Sequence, residues 1–583
     1  MTAPRLITDN LDLWTTAVTS KSGNGRGSNG QPELTGIKKL RELILELAVR
    51  GKLVPQDPAD EPAATLLKKI AAEKARLVKE GKIKKPKPLP PVGEDEQPFG
   101  LPVGWEWTTL PVVASYGPGK TPSTKNSEYW TDQKHGFPWA NIADMAHFGI
   151  IRETTKHIST EAAKEVFKGE PVEPGTILMS FKLTVGKVSI NEIPLYHNEA
   201  IISLAPYAGV VREYLFKILP TRALAGNTKG AIKGNTLNAG SLAQILIPLP
   251  PLAEQHRIVE KVDELMALCD RLEQQTSDQL AAHETLVETL LDTLTSSADA
   301  TELAANWTRL QTHFDTLFTT ESSIDHLKQT ILQLAVMGRL VPQDPNDEPA
   351  SALLKKIAAE KDRLVKAGKI KKTKPLPEIS EEEKPFTLPD GWEWCRFPDI
   401  GELARGKSKH RPRNDPSLYI GGKTPLVQTG DVARADRKIT TFTALYNQAG
   451  VEQSKLWKAG TLCITIAANI GDTGILGFDA CFPDSVVGFT PFDDRLENEY
   501  FEFFLRTAKK NLEEFAPSTA QKNINLEVLQ NVLVPLPPAK ELVRIVEKID
   551  KLIALCGHLE VCFAQSSQSQ HLIAEVMVTN AAT

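Results

Sequence analysis

Residues 47–58 read LAVRGKLVPQDP, and residues 334–345 read LAVMGRLVPQDP. The match extends on both sides without a gap, so that residues 40–107 correspond to residues 327–394 at a constant offset of 287 positions. Both blocks end in the same four residues, Gly-Trp-Glu-Trp. Self-similarity at a fixed offset is typical of a duplicated structural unit. The chain is therefore predicted to contain two copies of one unit.

A second pair of matching blocks closes each copy. Residues 245–273 begin with ILIPLPP and residues 532–560 begin with VLVPLPP, again 287 positions apart. Between the opening and closing blocks lie residues 108–244, the first insert, and residues 395–531, the second insert. The two inserts have equal length but largely different sequences. We call the opening and closing blocks the frame. A preserved frame that carries two different inserts suggests a pseudo-dyad whose two halves recognise two different targets, as a DNA-binding dimer reads two half-sites.

Composition indicates a soluble, multidomain protein. The 583 residues suffice for several domains of roughly 100–200 residues each. The net charge is −5, so any nucleic-acid binding must come from local basic patches. The six cysteines include no C-x-x-C pair and are expected to be reduced thiols. There is no charged leader with an apolar core and no run of about 18 apolar residues, so we expect a cytoplasmic protein without a membrane span.

The frame is predicted to be helical and the inserts to mix strands and helices. Apolar residues recur at steps of three and four in the long segment after the first PLPP motif, which favours a spacer of two long antiparallel helices. In the inserts, β-branched runs alternate with turn residues. The predicted fold class is α+β, with two mixed α/β domains joined by long antiparallel helices in a coiled-coil spacer and a pseudo-two-fold internal repeat. The predicted helices cover residues 36–50, 63–80, 252–292, 323–337, 350–367 and 539–564.

The tryptophans of the Gly-Trp-Glu-Trp motif alternate as on a strand with one buried face. They are Trp105 and Trp107 in the first copy, and Trp392 and Trp394 in the second. We interpret them as core residues at the domain edge, in preference to a role in stacking on bases.

Residues 401–408, GELARGKS, fit the phosphate-binding loop pattern G-x-x-x-x-G-K-[ST]. A working loop of this kind opens a helix whose N-terminus holds the phosphates. Pro412 and Pro416 follow and would break such a helix. The counterpart in the first copy, residues 114–121, meets a relaxed form of the pattern and is not followed by a helical pattern either. A basic loop is the favoured interpretation, because arginine and lysine bind phosphates and guanine edges; the alternative is a solvated charged loop.

Other catalytic patterns are incomplete. Residues 283–287, HETLV, begin like a zinc-protease motif but have Val287 where the second metal ligand is required. Residues 414–419, NDPSLY, lack the second proline of the amino-methyltransferase loop. We therefore predict no catalytic, cofactor-binding or metal-binding residue in this chain.

The assembled features resemble the specificity subunit of a type I restriction–modification system. Both inserts are closed by PLPP, with AEQHRIVEKVDEL after the first and AKELVRIVEKIDKL after the second. GKTPSTKNSEYW resembles the start of a target recognition domain, and GKSKHRP is a looser version of it, with Asp144 and Asp431 at equivalent positions. The second copy departs from the usual Glu-Gln pair, having Glu541 followed by Leu542.

The resemblance implies a function and a set of partners. Each target recognition domain reads one half of a bipartite, interrupted site in double-stranded DNA, and the helices set the gap. The helices also dock two methyltransferase subunits, which carry S-adenosylmethionine and methylate adenine N6. Two motor–nuclease subunits, which need ATP and Mg²⁺, join for restriction. The chain itself is expected to be non-catalytic and to hold no cofactor.

The predicted segments follow from the repeat and the resemblance. In chain order they are an N-terminal segment with a flexible linker (1–35), a conserved helical region (36–104), target recognition domain 1 (105–247), spacer helix 1 (248–295), the second copy of the helical region (296–391), target recognition domain 2 (392–534), spacer helix 2 (535–565) and a C-terminal tail (566–583).

The candidate DNA-contacting residues are basic, amide or hydroxyl side chains in loops of the inserts, some of which position the DNA without specifying its sequence. In the first domain they are Lys120, Thr121, Ser123, Lys125, Asn126, Lys182, Lys229, Lys233 and Asn235. In the second domain they are Arg405, Lys407, Ser408, Lys409, His410, Arg411 and Arg413, with Gln428, Thr429, Gln521, Lys522 and Asn523 as weaker candidates.

Two alternatives stay open on the sequence. A pseudo-dimeric scaffold whose inserts bind proteins would not need the basic loops. A nucleotide hydrolase that uses Lys120 and Lys407 would bind ATP saturably.

Overall fold

A computed structural model describes residues 7–20, 32–81, 92–225, 229–231, 234–372, 375–410, 412–514 and 524–581. The chain divides into two compact units. The first unit combines Met1–Gln279 with Gln565–Thr583, and the second unit is Leu280–Ala564. The predicted flexible linker, residues 21–32, lies outside the described residues except for Pro32.

Two long helices each contribute residues to both units. They are Leu252–Thr295 and Ala539–Ala581. The second of these was predicted to end at about residue 564, and the structure continues it through the predicted tail. Among the described residues, no helix is long and apolar enough to cross a bilayer.

The remaining helices lie as follows. The first unit has Leu11–Thr16, Thr35–Val49, Ala63–Lys79, Leu110–Val113, Thr160–Ala162, the π-helix Ala163–Phe167, Arg212–Leu224 and Ala239–Ala243. The second unit has Ala300–Thr312, Phe314–Leu317, Glu321–Val336, Ala350–Lys366, Phe397–Ile400, Thr429–Ala433, Gln448–Glu452, Asn498–Glu514 and Leu526–Asn531. The four shorter frame helices predicted from the sequence are confirmed to within two residues at each end.

Apart from the pair Thr19–Ser20 and Pro32–Glu33, the described strands belong to the inserts and their borders. The first unit has Thr19–Ser20, Pro32–Glu33, Glu106–Thr109, Ala114–Pro118, Trp130–Thr131, Phe137–Ala140, Gly149–Ile151, Lys156–Ile158, Ile177–Ser180, Lys182–Leu183, Val188–Asn191, Tyr196–His197, Ile201–Pro206, Lys229–Ala231, Gly234–Thr236 and Leu246–Leu249. The second has Glu393–Arg396, Gly401–Arg405, Thr424–Leu426, Lys438–Ile439, Ala444–Tyr446, Leu456–Trp457, Leu462–Thr465, Thr473–Leu476, Ala480–Cys481, Val486–Pro491 and Leu533–Leu536.

The repeated stretch LAVRGKLVPQDP ends the first frame helix and ties it to the long helix. Gly51 adopts φ +66°, a left-handed conformation that suits glycine, and Lys52 N donates to Leu47 O at 2.9 Å. The Gln56 side chain then donates to Gly51 O at 2.7 Å and to Glu254 Oε1 at 3.2 Å. The opening and closing blocks of the frame therefore meet in three dimensions.

The second copy repeats this arrangement residue by residue. Gly338 adopts φ +70°, and Gln343 donates to Gly338 O at 2.7 Å and to Glu541 Oε1 at 3.1 Å. An ion pair is also duplicated, since Arg544 contacts Asp347 at 2.7 Å as Arg257 contacts Asp60 at 2.6 Å in the first copy. These shared contacts give the preserved blocks a structural role in both units.

Each insert contains a mixed five-stranded sheet with the same strand order. In the first insert the order is Ala114–Pro118, Ile201–Pro206, Ile177–Ser180, Val188–Asn191 and Gly149–Ile151. In the second insert the order is Gly401–Arg405, Val486–Pro491, Leu462–Thr465, Thr473–Leu476 and Lys438–Ile439. The predicted fold class is confirmed in its two similar mixed α/β halves and its long helices, whereas the antiparallel pairing of those helices stays a prediction.

A two-stranded ladder closes each insert and joins its two border motifs. Strand Glu106–Thr109 pairs with Leu246–Leu249, and Glu393–Arg396 pairs with Leu533–Leu536. The Gly-Trp-Glu-Trp and PLPP motifs thus lie on neighbouring strands. The motif tryptophans are core residues, as predicted: Trp105, Trp107 and Trp392 are buried and Trp394 is half-buried.

Candidate nucleic-acid interface

One end of each five-stranded sheet gathers three segments of its insert. In the first insert, Ile201–Pro206 is antiparallel to both of its neighbours, Ala114–Pro118 and Ile177–Ser180. Because neighbouring strands run in opposite directions, the two neighbours end where Ile201–Pro206 begins. We name the segments that meet there the Gly-Lys loop (119–126 and, in the second insert, 406–413), the Ser/Thr turn (180–187 and 465–472) and the connecting segment (197–201 and 482–486).

In the first insert, the connecting segment holds the other two segments through its backbone. Lys120 N donates to His197 O at 2.9 Å, and Phe181 N donates to Ala200 O at 2.9 Å. The loop approaches so closely that a Cβ atom on Gly119 would lie 1.9 Å from His197 O. Only glycine fits at that position without a shift of the backbone.

The second insert repeats this docking with different residues. Lys407 N donates to Phe482 O at 3.1 Å, and Ile466 N donates to Ser485 O at 3.0 Å. A Cβ atom on Gly406 would lie 2.2 Å from Phe482 O. The Gly-Lys pair of both inserts is thus a backbone docking motif.

This geometry differs from that of a phosphate-binding loop. Gly401–Arg405 is an edge strand, and residues 406–410 that follow it are not helical. Ser408 occupies the position of the Mg²⁺-binding hydroxyl in the pattern, and it is only 7% exposed. The structure therefore supports the interpretation of GELARGKS as part of a loop with another role.

The Ser/Thr turns have one shape in both inserts despite their different sequences. The Ser180 hydroxyl donates to Thr184 O, and the Thr465 hydroxyl donates to Asn469 O. Non-glycine residues at the tips hold left-handed backbones, with φ +67° at Leu183 and +66° at Ala468. A shared backbone thus presents different side chains at corresponding positions.

Two candidate lysines of the first Gly-Lys loop reach solvent. Lys120 is exposed, and its ammonium group donates to Val166 O at 2.6 Å. Lys125 is exposed as well, and so is Ser123, whose carbonyl accepts from the Trp130 indole nitrogen at 3.2 Å. The loop therefore presents basic side chains at the sheet end.

The other two candidates in this loop have partners within the protein. The Thr121 hydroxyl donates to Glu199 Oε2. The side-chain oxygen of Asn126 accepts from Glu128 N at 3.1 Å and caps a short 3-10 helix. The prediction that Asn126 contacts DNA stays a prediction, and the structure adds that its side-chain oxygen caps the loop.

The remaining candidates of the first insert lie on the three-stranded sheet that continues the Ser/Thr turn. Lys182 pairs with Thr236 through the backbone, and its ammonium group lies 5.3 Å from the centre of the Phe181 ring. Lys229 and Asn235 belong to the two strands that complete this sheet. The structure thus brings these strands to the same sheet end as the Gly-Lys loop; Lys233 lies outside the described residues.

In the second insert, alternate residues at the end of strand Gly401–Arg405 and in the Gly-Lys loop face outward. Arg405, Lys407 and Lys409 are exposed, whereas Ser408 is buried. Docking of the loop backbone turns the Ser408 side chain inward, and the prediction that it contacts DNA stays a prediction. Arg411, like Gln521, Lys522 and Asn523, lies outside the described residues.

The last two candidates of this loop are held by carboxylates. His410 Nε2 lies 2.8 Å from Asp415 Oδ2, and Arg413 donates to Asp484 at 2.6 and 2.8 Å. Hydrogen bonds from Ser417, followed by the one from His410, lower the pKa of Asp415 to about 2. Asp415 is therefore ionised at neutral pH and fixes the loop.

Gln428 and Thr429 also approach this end of the second insert. They follow strand Thr424–Leu426, which pairs in parallel with Ala480–Cys481 at Leu426 and Cys481. Gln428 is exposed and donates weakly to Thr443 at 3.4 Å. Parallel strands end on the same side, so both residues lie near the connecting segment.

The equivalent aspartates Asp144 and Asp431 are turn residues in the structure. Each accepts a hydrogen bond at 2.8 Å from the backbone nitrogen three residues earlier, Asn141 or Gln428. Their equivalence therefore reflects a shared turn.

Three residues at these sheet ends were missed by the sequence reasoning. Gln453 Oε1 accepts from Lys409 N at 2.7 Å and His410 N at 3.1 Å, so it shapes the loop from 43 or 44 positions away. Glu199 and Asp484 bind the Gly-Lys loops as described above. The sequence carries no signal for Gln453. Glu199 and Asp484 are recognised as equivalent residues only when the two five-stranded sheets are aligned, which places them 285 positions apart.

Comparisons with known proteins show the family of this chain. Residues 102–282 and 389–560 match the sequence model of a family described as the type I restriction modification DNA specificity domain. The specificity subunits of the type I restriction enzymes EcoAI and EcoEI, both from Escherichia coli, are 40% and 39% identical to this chain, over 99% of each protein in both comparisons. The chain therefore belongs to the family of type I restriction–modification specificity subunits. A crystal structure of an HsdS subunit from Thermoanaerobacter tengcongensis covers 84% of this chain and 98% of its own, with 17% identity and a TM-score of 0.40.

Proposed function

We propose that this chain is the non-catalytic subunit that gives a type I restriction–modification complex its DNA sequence specificity. In this proposal, each insert reads one half of a bipartite, interrupted site in double-stranded DNA. The observation that carries the proposal is the pair of equivalent sheet ends, which share backbone contacts and differ in their exposed side chains. Such a design keeps the pose on DNA constant and varies the sequence that is read.

Local charge supports DNA as the ligand at these ends. Exposed cations at the sheet ends include Lys120 and Lys125 in the first insert, and Arg405, Lys407 and Lys409 in the second. They lie on a chain whose net charge is −5. Phosphate binding by such clusters releases counterions and makes affinity fall steeply with salt.

Family membership supports a set of partners in this proposal. The chain assembles with two methyltransferase subunits that carry S-adenosylmethionine and modify adenine N6. Two motor–nuclease subunits that use ATP and Mg²⁺ join the complex for restriction. The helix Leu252–Thr295, with 44 residues, is about 66 Å long at 1.5 Å per residue, which suits a spacer that fixes the gap between two half-sites.

A domain exchange tests this function directly. Residues 395–531 are replaced by the corresponding segment of a relative, and methylated adenine is mapped genome-wide in cells that also express the methyltransferase subunit. We expect one half of an interrupted motif to change and the other half to stay. A motif that ignores the exchange while the methyltransferase is active would refute the proposal and favour a protein-binding scaffold.

A further inference from the structure

Each insert carries an acidic residue at the same place in its connecting segment. Glu199 lies two residues before the strand Ile201–Pro206, and Asp484 lies two residues before Val486–Pro491. The residue that follows each acid accepts a backbone hydrogen bond from the Ser/Thr turn. The carboxylates therefore lie between the Gly-Lys loop on one side and the Ser/Thr turn on the other.

Both carboxylates are bound by the Gly-Lys loop, but by different donors. The Thr121 hydroxyl donates to Glu199 Oε2, and the Arg413 guanidinium donates to both oxygens of Asp484. The first insert thus uses a neutral donor with a glutamate, and the second uses a cation with an aspartate. The chemistry of the pair differs, whereas the presence of a loop-bound carboxylate is common to both.

An acidic group at this place is unexpected on a surface that serves only to attract DNA. It repels phosphates and opposes the exposed lysines beside it. Glu199 is exposed and the Asp484 side chain is 37% exposed, so a ligand can reach both carboxylates. Both carboxylates can still accept a hydrogen bond from outside, because a carboxylate offers about four acceptor sites.

A base edge supplies a ligand that fits an exposed carboxylate. In the major groove, cytosine presents its 4-amino group as a donor, and aspartate or glutamate accepts from it. Adenine also has an amino group there, but its neighbouring N7 is an acceptor that repels a carboxylate. Guanine and thymine present acceptors at the corresponding positions.

We propose that Glu199 and Asp484 are specificity-determining residues, each of which accepts a hydrogen bond from the 4-amino group of a cytosine. Each acts in the half-site that its own insert reads. This inference rests on the proposed function and names a base for each half of the site. Thr121 and Arg413 act as positioning residues that hold the carboxylates toward the groove.

The test uses the complete complex with its methyltransferase subunits and the variants Glu199→Gln and Asp484→Asn. These changes keep shape and remove the charge. We expect Glu199→Gln to relax one position in one half of the methylated motif, with the preference for cytosine reduced about fivefold to 150-fold. Asp484→Asn should do the same in the other half. An unchanged motif, or evenly reduced methylation without a change of sequence preference, overturns the inference.

Matched controls lie at the opposite end of each domain. Glu192 follows the end of strand Val188–Asn191 and pairs with Arg152, and Asp479 precedes strand Ala480–Cys481 and pairs with Lys458. Glu192→Gln and Asp479→Asn are therefore expected to leave both halves of the motif unchanged. A shift of the motif in these controls as large as that in Glu199→Gln overturns the assignment to the connecting segment.

A second measurement begins with the unsubstituted protein, so its first result does not depend on how the variants fold. The unmodified complex is bound to duplexes in which each cytosine of the motif is replaced in turn by an analogue without the 4-amino group. We expect one cytosine in each half to weaken binding at least fivefold, and Glu199→Gln to abolish that difference in its half. A half-site without cytosine on either strand refutes the inference. If the exchange of residues 395–531 alters one half of the motif but the single substitutions and analogues alter nothing, this inference fails and the proposed function stands.

Discussion

Replacement of Glu254 by alanine is expected to destabilise the first unit by about 1–3 kcal/mol. The carboxylate is 1% exposed and accepts from the Trp105 indole nitrogen at 2.9 Å and the Gln56 amide at 3.2 Å. Alanine leaves the buried Trp105 indole nitrogen without an acceptor, and an unsatisfied buried polar group costs about 1–3 kcal/mol. The exposed Gln56 amide keeps its hydrogen bond to Gly51 O. Part of that loss is offset, because the variant no longer desolvates a charge on folding.

Amide hydrogen exchange under native conditions measures the effect, since it reports the free energy of opening segment by segment. Glu254→Ala should speed exchange in helix Thr35–Val49 and leave helix Glu321–Val336 unchanged. The matched variant Glu541→Ala should show the reverse pattern, because Glu541 accepts from Gln343 in the second unit. A loss below about 1 kcal/mol, or equal acceleration in both units, would refute the reasoning.

The same carboxylate predicts a pH dependence. Burial raises the pKa of Glu254 above its usual value of 4.5, in part against hydrogen bonds from Trp105 and Gln56. The folded state therefore holds this proton more tightly than the unfolded state. The stabilisation from this group is fully present below the unfolded pKa and is lost as pH rises through the folded pKa. Glu254→Gln should flatten this part of the curve of unfolding free energy against pH, and an unaltered slope would contradict the assignment.

Three further predictions concern the sheet ends. Gly406→Ala places a Cβ atom 2.2 Å from Phe482 O, so the affinity for DNA in gel shifts should fall at least about tenfold. In the control Gly557→Ala, the added Cβ atom meets nothing within 4 Å, and the affinity should be unchanged. Ala468→Gly relieves the strain of a left-handed backbone at φ +66° and should raise the unfolding free energy by about 0.5–1 kcal/mol. An unchanged midpoint in thermal melts would show that the turn is not strained. Lys409→Ala should weaken binding to all DNA sequences alike and reduce the slope of log affinity against log salt concentration by about one. The control Lys458→Ala, which removes the partner of Asp479, should leave that slope unchanged.

The frame could be predicted closely because its periodic apolar residues are also its buried residues. Ile37, Leu40, Ile44 and Leu47 recur at helical spacing and are buried in the first unit. The corresponding residues of helix Glu321–Val336 are equally buried in the second unit, and they are Ile324, Leu327, Ile331 and Leu334. The offset of 287 therefore transfers one helix assignment to the other.

The end of the last helix could not be read from local pattern. The polar run at residues 565–570, QSSQSQ, interrupts the apolar spacing at the point where the predicted helix stops. The structure continues the helix because tertiary contacts stabilise it. The Ser567 hydroxyl donates to Val18 O, and Ala574 is fully buried in the core of the first unit.

The candidate site could be predicted only as a set of loops. Basic composition identified the Gly-Lys loops, but side-chain direction depends on how the backbone docks, which is why the burial of Ser408 could not be predicted from the sequence. Within the inserts, the offset between equivalent residues changes from 287 positions at Lys120 and Lys407 to 285 positions at Glu199 and Asp484. Since the insert sequences are largely different, only the paired strands reveal this second offset.

The first unit is assembled from both ends of the chain. Ala574, Met577 and Val578 pack into the core that also contains Trp14 and the helix Thr35–Val49, whereas the second unit is the continuous segment Leu280–Ala564. During synthesis the second unit has all of its residues before the first unit does. Most residues of the first unit leave the ribosome early. Part of its apolar core nevertheless stays uncovered until residue 578 has left the ribosomal tunnel. The order of completion is the reverse of the N-to-C order in which domains generally fold during translation.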